Sequence, residues 1–160
     1  MIEVKVSALA IDQVSKTPII FLKEIQGDMV LPIWIGPVEA NAIARELEGT
    51  HLPRPLTHDL IKNVLVGMNI KLLKIVVNKI ENDTFYATLI LKKDNELFEV
   101  DARPSDSIAI ALRMKVPIFV EEEVMETSGT SIELDRELKK KALKEYVKNM
   151  DLEDFGKYEL

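Results

Sequence analysis

The stretch Asp101-Ala102-Arg103-Pro104-Ser105-Asp106 sets two carboxylates, a guanidinium and a hydroxyl just where a helix pattern begins. Carboxylates hold hard divalent cations or take up protons, and a guanidinium grips phosphate oxygens through paired N–H bonds. A helix N-terminus adds backbone N–H groups that favour an anion. The plainer account is helix initiation, with Ser105 or Asp106 as the cap and the acid complementing the dipole, each contributing about 0.5–1 kcal/mol. Capping leaves unexplained why a strand ending in Asp101 and Arg103 runs into it. That pair reads either as a surface salt bridge or as part of a polar site.

A second concentration lies at residues 51–60, His-Leu-Pro-Arg-Pro-Leu-Thr-His-Asp-Leu, which holds both histidines. Its two prolines stiffen the approach to a helix that Thr57 is expected to cap. Arg54, His58 and Lys62 can line one edge of that helix and meet a phosphate. The alternative is that His58 is a partly exposed first-turn residue with no chemical task.

Composition narrows the chemistry. The 160 residues include no cysteine and two histidines, which excludes disulfides and zinc-thiolate sites and argues against a multi-histidine zinc site. A metal would therefore have oxygen ligands, as Mg²⁺ or Mn²⁺ does. There is no P-loop, no glycine-rich nucleotide-cofactor motif, no nucleophile elbow and no HExxH pattern. A net charge of −6 counts against a general nucleic-acid binder, while leaving open a local basic patch or a metal-bridged phosphate. The apolar runs are too short to cross a bilayer and the first residues read as a strand, so a cytoplasmic protein with no membrane partner is expected. Abundant Lys and Glu, with glutamine only at Gln13 and Gln26, lean towards a thermophilic composition.

The first of these stretches falls in a repeating frame. Pro37 and Pro104 are 67 residues apart, and this offset aligns 2–36 with 69–103 without gaps. It places Leu31, Ile33 and Ile35 on Phe98, Val100 and Ala102, and these are expected to face inward. The outward set Pro32, Trp34 and Gly36 becomes Glu99, Asp101 and Arg103 in the second half. Each half reads as three strands and a helix: strands near 2–11, 17–25 and 30–35 before a helix near 38–48, then strands near 70–80, 84–93 and 96–102 before a helix near 105–114. A further helix is expected at 57–67, a short strand at 117–122, a Thr-Ser-Gly-Thr-Ser linker at 127–131 and an amphipathic helix at 132–150. The lysines of that last helix read as a solvated face or, more sharply, as a partner-binding or dimerising surface. Trp34, Phe85, Tyr86 and Phe98 are expected to pack rather than stack on bases. The expected fold class is α+β: an internal duplication of a β-β-β-α unit, with mainly antiparallel sheet and helices packed on a face, plus the C-terminal helix. One domain would span 1–125, with repeats at about 1–48 and 68–115, and 126–160 would pack on or extend it.

Together the segments LPIWIGPVEANAIARELEG, RPLTHDLI, TFYATLIL, VDARPSDSIAIALR and PIFVEEEV resemble the bifunctional nuclease domain family, over about residues 1–125. The tail DLEDFGKY is also similar, and the chain looks like the minimal, single-domain bacterial form. The family takes its name from members credited with RNase and DNase activity. The resemblance implies hydrolysis of DNA and RNA phosphodiesters with low sequence specificity, and the matching polar residues are Glu39, Arg54, Thr57, His58, Asp59, Asp101, Arg103, Ser105 and Asp106. On that reading Asp101 and Asp106, with Glu39 or Asp59, hold Mg²⁺ or Mn²⁺, which activates water. Arg54 and Arg103, with Thr57 and Ser105, bind phosphate, and His58 is the general acid or base. DNA or RNA would be the partner and a homo-oligomer the assembly. The alternatives are a non-catalytic binding or assembly module and a protein that binds a small phosphorylated ligand.

Overall fold

In the computed structural model, which describes residues 1–131, the strands β1 (Ile2–Ile11), β2 (Pro18–Glu24) and β3 (Val30–Trp34) form an antiparallel meander. Helices α1 (Pro37–Glu48) and α2 (Thr57–Gly67) follow it. A second meander, β4 (Lys71–Glu81), β5 (Thr84–Lys93) and β6 (Glu96–Ala102), leads into α3 (Pro104–Met114), β7 (Ile118–Val120) and α4 (Glu122–Ser128). The order β-β-β-α thus occurs twice. Short β7 joins the halves, antiparallel to β1 and parallel to β4, giving one sheet in the order β3-β2-β1-β7-β4-β5-β6. The protein is α+β with a mainly antiparallel sheet. The helix expected at 132–150 lies outside the described residues.

Alternation sets which face of the sheet is covered. Ile20 and Leu22 in β2, and Ala87, Leu89 and Leu91 in β5, are buried, while the residues between them are not. Against this face the central turns of α1 and α3 pack Ile43, Ala44, Ile108 and Ala111, all fully or nearly fully buried. Pro37 and Pro104 occupy the first helical positions, where the missing N–H costs nothing. The chain leaves α1 through Gly49 at φ 70°, a left-handed conformation that a residue without Cβ adopts freely.

Four local expectations are corrected. Leu56, not Thr57, is the N-cap of α2, and Asp59 supplies the missing acceptor by taking the Leu56 N–H at 2.9 Å. Neither Ser105 nor Asp106 caps α3. With Pro104 at the first position, the N-cap falls on Arg103, which makes no side-chain cap bond, and Ser105 and Asp106 are inside the helix. The strand expected at 117–122 is only Ile118–Val120, because Glu121 is already the N-cap of α4, and the expected linker contains Thr130, whose backbone exchanges two 2.8 Å hydrogen bonds with Val30. Finally, Phe98 and Val100 point to the same face as buried Leu91 and Leu89 yet remain 44% and 41% exposed. They lie on the outermost strand, and on the sheet α3 packs chiefly against β4 and β5.

Candidate active site at three helix starts

The sequence brings Glu39, His58 and Asp106 into the first turns of α1, α2 and α3, and the packing of these helices brings the three turns together. Arg103, immediately before α3, bridges them. Its Nε donates to Asp106 Oδ2 at 2.8 Å and its Nη2 donates to Glu39 Oε1 at 2.7 Å. The other oxygen of Asp106, Oδ1, lies 2.8 Å from His58 Nε2. A continuous chain Glu39–Arg103–Asp106–His58 results. Helix starts favour negative charge, so the two carboxylates sit where the backbone dipoles stabilise them. Gly36 leaves the space that Glu39 uses, since a Cβ there would collide with its carboxylate.

The electrostatics fix the proton positions. Burial pushes the Asp106 carboxyl up, but hydrogen bonds from Arg103 and His58 outweigh it and hold it below the ordinary value of 3.8. Asp106 and then Glu39 raise Arg103 still further above its ordinary range. An ionised Asp106 only accepts, so His58 Nε2 must carry the hydrogen. The other ring nitrogen, Nδ1, has no partner among the described residues, where no side-chain nitrogen or oxygen is both buried and unpartnered. Nδ1 therefore reaches solvent, and in the neutral ring it is the nitrogen that carries the lone pair. Most of the Arg103 side chain, 64%, is also exposed.

The remaining candidates stand apart from this chain. Asp59 is turned to Arg113, which donates from Nε to Asp59 Oδ1 at 2.7 Å, as well as to the N-cap of α2. Burial pushes Asp59 up, but the Leu56 N–H and Arg113 hold it below 3.8. Asp101 is exposed on β6, opposite Thr88, and its side chain makes no hydrogen bond or ion pair among the described residues. Arg54 and Thr57 are exposed around the start of α2, and Ser105 is buried beside Asp106. Among the described residues no three His, Asp or Glu side chains are grouped to share a cation. The donor set of Asp101, Asp106 and Asp59 does not fit a divalent ion in this arrangement, because two of the three carboxylates are committed to arginines.

Arg113 is the residue that sequence reasoning missed. It is 5% exposed and reaches three helices, donating to Asp59, to Ala109 O at 2.9 Å and to Ala42 O at 3.0 Å. Its spacing of seven residues from Asp106 was the available signal, since that interval returns to the same helix face. A cavity of about 190 Å³ lies beside it, bordered by Arg45, Glu46, His51 and Asp59.

Residues 20–133, which contain the whole polar chain, match the Bifunctional nuclease domain. An uncharacterized protein of Mycobacterium tuberculosis is 45% identical over 130 residues, covering 81% of this chain and 77% of the relative. Bifunctional nuclease 1 of Oryza sativa subsp. japonica is 27% identical over 117 residues, 71% of this chain and 35% of the rice protein. Bifunctional nuclease 1 of Arabidopsis thaliana is 28% identical over 119 residues, 72% and 37% of the two chains. On the extent of the domain match and the 45% identity, the chain belongs to the bifunctional nuclease domain family.

Proposed function

We propose that the chain hydrolyses phosphodiester bonds of DNA and RNA with low sequence specificity, at the site built on Glu39, His58, Arg103 and Asp106. The observation that carries this reading is the His58–Asp106 hydrogen bond with Nδ1 left open to solvent. Nδ1 takes a proton from water as the water oxygen attacks phosphorus. A P–O ester bond breaks, and the imidazolium, steadied by ionised Asp106, returns its proton to the departing alkoxide. Water is the nucleophile because DNA lacks the 2′-hydroxyl that RNA alone could supply. Arg103 spends two N–H groups on carboxylates and directs the rest at a phosphate oxygen. The exposed Arg54 and Thr57 extend the phosphate contact around the start of α2, while Ser105, buried beside Asp106, takes no part in it. No step is routed through a metal.

The test is an assay of purified protein on single- and double-stranded DNA and RNA, in EDTA and in Mg²⁺ or Mn²⁺, with His58→Asn and Arg103→Ala alongside. Activity in EDTA that falls at least a hundredfold in His58→Asn supports the mechanism. Activity unchanged in both variants removes it from this site, and activity only with added cation overturns the metal-free step. A second reading, binding of a small phosphorylated ligand, is favoured by the cavity beside His51 and Arg113. Saturable binding of inorganic phosphate that is lost in His51→Ala would support it.

A further inference from the structure

We infer that Arg113 is a positioning residue that holds His58 in register with Asp106, an inference that rests on the proposed role of this pair. The helix that carries His58 is weakly anchored, since only His58 and Leu65 of α2 are buried. Apolar packing therefore constrains the rotation of its first turn only through Leu65 and the partly buried Ile61. Two polar contacts supply the missing constraint. His58 meets Asp106 and its neighbour Asp59 meets Arg113, so adjacent residues grip α3 at points seven residues apart, about 10 Å along the helix axis. Asp59 also receives the Leu56 N–H, which ties the same carboxylate to the backbone just ahead of His58.

Arg113 is itself immobile. Its remaining donors reach Ala109 O in α3 and Ala42 O in α1, so one guanidinium binds all three helices whose first turns form the site. Only a planar, forked donor can meet a carboxylate and two carbonyls at once; a lysine ammonium supplies the charge without the fork. With the fork lost, Asp59 is released and α2 turns about its axis. A displacement of about 1 Å stretches the 2.8 Å His58–Asp106 contact beyond hydrogen-bonding distance. The Nε2 proton is then no longer dictated by Asp106, and the tautomer that presents the Nδ1 lone pair loses its advantage.

The experiment is ¹⁵N NMR of the His58 imidazole in the full chain carrying Arg113→Lys, with methyl signals of Leu9 and Leu22 in the distant meander as the control for folding. The expected result is unchanged Leu9 and Leu22 signals, a His58 spectrum shifted from a single Nε2–H tautomer to a mixture, and kcat reduced about tenfold with KM nearly constant. Asp59→Asn cuts the same link from its more exposed end and serves where Arg113→Lys does not fold. A wild-type His58 spectrum in a folded variant of either kind overturns the inference. A shifted spectrum with nuclease activity indifferent to His58→Asn would sink the catalytic proposal while leaving the positioning role intact.

Discussion

At the scale of single residues, the two carboxylates of the polar chain have different tasks, and their variants should separate. Asp106 touches both His58 and Arg103, whereas Glu39 touches the site only through Arg103. Asp106→Asn leaves one acceptor oxygen for two donors; with that oxygen turned to Arg103, the amide N–H faces His58 Nε2 and reverses the tautomer, so kcat should fall by about 10²–10⁴-fold, the range of a general-base contribution. Glu39→Gln leaves His58 alone and loosens one anchor of Arg103, so KM should rise several-fold with kcat nearly kept. Steady-state kinetics on a defined oligonucleotide reads the split, and equal losses of kcat in both variants would contradict it. The acids also predict a pH dependence of stability. Asp59 and Asp106 both have folded pKa values below 3.8, so the unfolded chain binds more protons just below that value. Stability is therefore complete above about pH 5 and declines as pH falls from about 4 through the folded values. Urea midpoints measured from pH 6 to pH 2 should show this decline, and it should flatten in an Asp59→Asn, Asp106→Asn double variant.

At the scale of elements, α2 is the piece most dependent on polar contacts. Asp59→Ala removes the acceptor for the Leu56 N–H and leaves the buried Arg113 guanidinium without its carboxylate. The loss should be roughly 2–3 kcal/mol, below the 3–5 kcal/mol of a fully buried pair, because the Asp59 side chain is 36% exposed. Hydrogen exchange should show the amides of α2 losing protection first, while β1 and β2 keep theirs; uniform loss would mean that α2 is not a separate weak unit. The strands and the first three helices were legible in the sequence because alternation, proline at the first helical turn and glycine after the last are local signals. The meeting of Glu39, His58, Arg103 and Asp106 was partly legible, since each opens or precedes a helix, but their distances depend on how those helices pack. Of Arg113, only the helix face it shares with Asp106 was legible. Its partners Asp59 and Ala42 lie 54 and 71 positions away, and nothing in the helix pattern of residues 104–114 announces them. The expected cap of α3 fails for a related reason: Asp106 looks like a local N-terminal acid, yet it bonds across to His58 in α2.

At the scale of the whole molecule, the sheet has two unlike edges, and the difference yields a contrast that a repeat frame alone would miss. The 67-residue offset equates Leu31 of β3 with Phe98 of β6 and predicts similar interior roles. In the fold, Leu31 is fully buried and Phe98 is 44% exposed. The chain returns to the β3 edge through α4 and pairs Thr130 with Val30, whereas none of the described helices packs extensively on β6. Deleting a buried leucine side chain removes its transfer free energy and leaves a cavity, so Leu31→Ala should destabilise by about 2–5 kcal/mol. Phe98→Ala gives up only part of an aromatic surface that water already reaches and leaves no enclosed void, so its cost should stay near 1 kcal/mol or below, against about 3–5 for a buried phenylalanine. Urea denaturation of the two variants, with unchanged m-values as the check on the unfolded state, makes the comparison direct. Equal losses would mean that β6 is covered in solution, and a concentration-dependent midpoint for the native chain, abolished by Phe98→Ala, would identify a second copy of the protein as the cover.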